Sequence, residues 1–109
     1  MKNKKLTTLV GEYYLSFDFN ELRKETKEQY QYFLGVLLST KIGTAQNLGS
    51  INFSDITTKM AKVSYDLWCE RGIHLANHVM SVTRVVYNYG IHMEHCTINP
   101  FTTIKKRIP

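Results

Sequence analysis

Between Ile73 and Tyr89 the chain carries a set of side chains whose types and spacing suit the reading of nucleic-acid edges. At ~100° per residue along a helix, His74, Asn77, His78, Ser81, Arg84 and Asn88 fall within an arc of about 120°. No Asp or Glu interrupts them. An ordinary solvated helix face mixes Glu with Lys, because opposite charges at i, i+4 support the helix. Here the residues are short or planar hydrogen-bonders plus one Arg. Arg suits guanine, Asn suits adenine, Ser suits either, and Val85, the apolar residue inside the arc, suits a thymine methyl. The plain alternative is a solvated face that lacks acids.

A second polar spot precedes and opens another helical segment: Arg23, Lys24, Thr26 and Lys27. A helix N-terminus offers unpaired N–H groups and a positive dipole end, which suits phosphate. Glu21, Glu25 and Glu28 interleave with these residues, so simple solvation is the competing reading.

The elements that must position these groups can be traced from periodicity. Leu6, Leu9, Val10, Tyr13 and Tyr14 make one apolar stripe of a short helix over Leu6 to Ser16. Thr26-x-x-Gln29 fits a capping box, and from it Tyr30, Phe33, Leu34, Leu37 and Leu38 predict a second helix fading near Gly43. Ser54 or Asp55 could cap a third, with Ile56, Met60, Val63, Leu67 and Trp68 inward and Gly72 as its stop. The fourth runs from Ile73 to Tyr89, with Leu75, Ala76, Val79, Met80, Val82, Val86 and Tyr89 inward and Gly90 as the next stop. Asn99-Pro100 breaks the chain, and Thr102 to Pro109 reads as a short basic tail. The predicted fold class is all-α, four helices with short connections.

Composition bounds the rest. The 109 residues fit one domain, and 14 Lys+Arg against 9 Asp+Glu leave a net charge of +5, which points weakly toward a polyanion. No run approaches the ~20 apolar residues of a membrane span, and the start is not a signal peptide. Cys69 and Cys96 make no disulfide framework, so a reducing cytoplasm is the natural compartment. No cofactor is called for. His74, His78, His92, His95, Cys69 and Cys96 match no standard zinc spacing.

The ordered features can then be set side by side. Leu9-Val10-Gly11-Glu12-Tyr13-Tyr14 opens a short helix, and Lys24-Glu25-Thr26-Lys27-Glu28-Gln29-Tyr30 follows as a basic stretch with Thr and Tyr. Gly72-Ile73-His74-Leu75-Ala76-Asn77 starts a helix that passes through Arg84-Val85-Val86-Tyr87-Asn88-Tyr89-Gly90. Thr97-Ile98-Asn99-Pro100-Phe101 leaves it. This order resembles the core-binding domain of tyrosine recombinases, the phage integrase family, over nearly the whole chain.

The resemblance implies a lambda-integrase-like (SAM-like) domain of four helices in crossed pairs, forming half of a clamp around a recombination core site. Residues 1–101 would be the core-binding domain, and 102–109 the start of a basic linker toward a catalytic domain of the same parent chain. Carried over, Lys24, Thr26, Lys27 and Tyr30 approach double-stranded DNA from the second helix. His74, Asn77, His78, Ser81 and Arg84 face the groove from the fourth. Tyr30 could equally be core, since it begins an apolar stripe. Other recombinase protomers would be further partners, and the setting a bacterial or phage-encoded cytoplasmic protein.

The family's catalytic set is not recognisable. No His is followed by Arg three residues on, and the seven tyrosines sit on helical stripes or at helix ends. The chain by itself is therefore expected to bind DNA without cleaving it. The alternative of a different class is a small helical protein-interaction module without DNA binding, which would expose apolar surface instead.

Overall fold

Apolar residues at i, i+3, i+4 and i+7 set the first helix, α1 (Leu6–Tyr14), which buries Leu6, Leu9, Val10 and Tyr13. The computed structural model describes residues 4–43 and 46–109. Lys5 caps α1 without a side-chain bond. The helix start is instead tied to the later loop, Leu6 N donating to Ile51 O at 2.9 Å and Phe53 N to Lys4 O at 3.0 Å.

Among the described residues the structure is all-α, with five helices rather than the four predicted. The addition is α2 (Phe17–Asn20), a single turn in which the Ser16 hydroxyl accepts from Phe19 N at 3.2 Å. It buries Phe19 and leaves Phe17 outside. Next, α3 (Lys24–Ser39) starts two residues before Thr26, so the capping box does not form. Leu34, Val36 and Leu37 are buried, and α3 ends at Ser39 instead of fading near Gly43. There Thr40 Oγ1 donates to Val36 O at 2.7 Å and accepts from Trp68 Nε1 at 2.8 Å.

Two single 3-10 turns, Leu48–Ser50 and Phe53–Asp55, lead to α4 (Thr58–Arg71). Its cap is Thr57, whose hydroxyl accepts from Met60 N at 3.1 Å, rather than Ser54 or Asp55. The buried face is Ala61, Ser64, Tyr65 and Trp68. Val63, expected inside, is 39% exposed. Two large aromatic rings at i, i+3 outweigh the aliphatic row, because they remove more apolar area from water. Gly72 ends α4 at φ 150°, a backbone conformation that side chains rarely adopt, and α5 (Ile73–His92) begins at once.

Helix α5 packs against α1, α3 and α4 and forms the centre of the fold. It runs through Gly90 instead of stopping there. Gly90 is buried, and a Cβ on it would lie 3.3 Å from Cys96 Sγ and 3.4 Å from Leu9, so this glycine serves close packing. Of the expected inner face, Ala76, Val79, Met80, Val82 and Val86 are buried, joined by Thr83 and Tyr87, while Leu75 and Tyr89 are half-buried against the core. Among the described residues, no helix is long and apolar enough to cross a membrane.

Candidate nucleic-acid interface

The polar side of α5 divides into two strips. On one, the C-terminal segment folds back along the helix. Arg84 Nε donates to Phe101 O at 3.0 Å and Nη2 to Ile104 O at 2.5 Å. Lys106 Nζ donates to the Ser81 hydroxyl. Asn77 Nδ2 donates to Arg107 O at 3.0 Å. The Tyr65 hydroxyl joins helix and tail, donating to Asn77 Oδ1 and accepting from Arg107 N, both at 2.6 Å. Arg107 Nη2 also meets Asp66 Oδ1 at 2.8 Å, an oxygen it shares with Lys62.

The other strip faces water. His74, His78, Val85, Asn88 and His92 are exposed. The His78 ring stacks on Phe33 of α3, centroids 5.2 Å apart and planes 8° from parallel. Asn88 Oδ1 accepts from Asn99 Nδ2 at 3.3 Å.

On α3, Lys24 is exposed and Thr26 half-buried. Lys27 sits with Nζ 6.0 Å from the centre of the Phe19 ring, a cation over an aromatic face. Tyr30 is half-buried and packs against the core, so its ring belongs at least partly to the fold. The two helices run antiparallel. Phe33 meets His78, whereas Lys27 lies by Phe19, whose neighbour Tyr13 packs on Tyr89. Along α5, eleven residues from position 78 to 89 span ~16 Å at 1.5 Å per residue. Lys27 thus lies toward the end of α5 that carries Tyr89 and His92, away from His74 and His78.

The groups that sequence reasoning passed over are Tyr65, Asp66 and Lys106. A signal did exist: Ile104 follows Phe101 by three residues, and both are buried. Such an apolar pair argues for docking rather than for a free linker.

A second charged cluster lies at the other chain end. The Glu12 carboxylate binds Lys4 Nζ through one oxygen and His95 Nε2 through the other, the latter at 2.8 Å. The hydrogen bond from Lys4 holds the Glu12 carboxyl below its usual range, with His95 adding to the effect against partial desolvation. Lys4 is therefore engaged, not loose as a basic tail would be. Lys5 is exposed, and Lys2 lies outside the described residues.

Burial raises the phenols of Tyr14, Tyr65 and Tyr87 and pushes Tyr13 up to about 12, the direction opposite to an activated phenolate. Among the described residues, no group of three or more His, Cys, Asp or Glu could hold a metal ion. Set against known proteins, the chain matches no family model, no curated protein and no solved structure.

Proposed function

We propose that this chain binds duplex DNA through the α3–α5 face, as the core-binding domain of a tyrosine recombinase does, and positions a parent recombinase on its core site. The observation that carries the reading is the charge pattern of α5. Its outward strip holds His74, His78, Asn88 and His92 and no carboxylate along the whole helix, while Lys105, Lys106 and Arg107 lie beside it. Lys24 and Lys27 supply cations from α3. Phosphate contacts from these groups give affinity, and the imidazoles and Asn88 add groove contacts. Arg84 is committed to two backbone carbonyls, so on this reading it shapes the face and does not read a base. The isolated chain binds without cleaving, and a catalytic domain of the parent chain and further protomers complete the assembly.

The test is binding of a mixed-sequence duplex oligonucleotide, followed by fluorescence anisotropy across a salt series. Binding should fall steeply with salt, and Lys27→Ala should lower the log–log slope by about 1. Salt-independent binding, or none at low salt, refutes the reading.

One observation favours the interaction-module alternative. Leu15 and Phe17 are 85% and 75% exposed, and a cleft of about 1220 Å³ lined by Phe53, Ile56, Ile91 and Pro100 carries exposed Met93 and Ile98 at its edge. Apolar surface of this kind suits a protein partner. Association driven by it would be insensitive to salt.

A further inference from the structure

The tail is held in two unlike ways along its length. Through Ile104 it is anchored: Phe101 and Ile104 are buried and Arg84 grips the carbonyls of both. Beyond Ile104 no apolar side chain docks. Ile108 is 90% exposed, and Lys105, Arg107 and Pro109 are exposed as well. Among the described residues, 105–109 are kept in place by Tyr65, Asn77, Ser81 and Asp66. The contacts of Asn77 and Asp66 with Arg107 are exposed and those of Ser81 and Tyr65 with the segment part-buried, and each polar contact is of small net worth. The segment carries Lys105, Lys106 and Arg107, yet Asp66, already shared with Lys62, is its carboxylate partner. Lys106 thus meets the Ser81 hydroxyl and Arg107 the shared Asp66, while Asn77 donates to the Arg107 carbonyl and not to its cation. A polyanion offers the same cations far more.

We infer that residues 105–109 are a displaceable strap that masks Asn77 and Ser81 and is drawn off by duplex DNA, uncovering those side chains for the groove. This rests on the DNA-binding reading above. Displacement does two things at once. Lys105, Lys106 and Arg107 move to phosphates, and the amide and hydroxyl they covered become available to base edges. The apparent affinity is then lowered by the fraction of molecules whose strap is closed.

Tyr65→Phe removes the hydroxyl that ties Arg107 N to Asn77 while leaving every charge in place. In the full chain it should speed hydrogen exchange at the Arg107 amide and tighten binding of a mixed-sequence duplex by about three- to tenfold. Asp66→Asn is the second variant, should the buried ring be sensitive. Its gain must exceed that of Glu70→Gln, which makes the same charge change at an exposed position of α4. Added duplex should also speed Arg107 exchange in the unaltered chain. Faster exchange without tighter binding overturns the strap, as does an Arg107 amide already unprotected in the unaltered chain. Absence of binding by every variant at low salt, with that amide still protected, refutes the DNA reading itself and the masking with it.

Discussion

The two ends of the chain are both basic, and the fold treats them in opposite ways. Near the start, Lys4 finds a carboxylate, Glu12, which also draws in His95 from beyond α5. Charge meets charge, and the N-terminal segment is locked to α1. Near the end, Lys106 meets a hydroxyl and Arg107 one shared carboxylate, with the Asn77 amide donating to the Arg107 carbonyl, while the hold on the chain comes from Phe101 and Ile104 upstream. Runs of like charge in a sequence therefore say little until the partners that the fold supplies are known. The first end is an ion-pair cluster; the second is an apolar anchor with a lightly tied extension.

The comparison breaks most sharply at Phe101. Its ring lies parallel to Trp68, centroids 6.2 Å apart, and tilted against Tyr87 at 5.7 Å. Phe101→Ala should cost about 3–5 kcal/mol of stability in urea unfolding. A loss under ~1 kcal/mol would mean that the core closes without the C-terminal segment.

Arg84→Ala comes next, at about 1.5–3 kcal/mol, because the carbonyls of Phe101 and Ile104 lose a charged donor. Should stability hold while preference for one duplex sequence drops, Arg84 reads bases as its position on the arc first suggested, and the anchor is apolar alone.

The smallest effect belongs to the N-terminal cluster. Glu12 has its folded pKa below the ordinary 4.5, so its contribution is present above that value and is lost as pH falls through the folded one. The thermal midpoint of the unaltered chain should therefore drop more between about pH 5 and pH 3 than that of Glu12→Gln. Equal slopes would show that the Lys4–Glu12–His95 contact adds nothing to the fold.

How much of this was legible beforehand differs by element. Helices α1 and α5 follow their apolar period, and Gly72 marks a break that the backbone makes, whereas α5 already ends at His92, before Asn99-Pro100. The buried side of α4 was not legible, because Met60, Val63 and Leu67 form a plausible row of their own. Ser64 is buried only because its hydroxyl donates to Met60 O at 2.8 Å, which composition does not reveal. Gly90 reads as a stop until Leu9 and Cys96, distant in sequence, are seen to need its space. The acid-free arc of α5 is the most instructive case. Arg, Asn and Ser suit base edges, and by the same donors and acceptors they suit a stretch of backbone. Asn77, Ser81 and Arg84 have such a stretch beside them, whereas His74 and His78 face outward.

The placement of Trp68 turns the C-terminal anchor into an optical signal. It is the sole tryptophan, 2% exposed, with its indole N–H on Thr40 and its ring face along Phe101. Its emission thus samples the end of α3, the end of α4 and the returning chain together. Undocking of Phe101 shifts that emission toward longer wavelength, while motion confined to residues 105–109 leaves the colour unchanged. Intrinsic fluorescence can therefore separate the two kinds of loosening in one unlabelled sample.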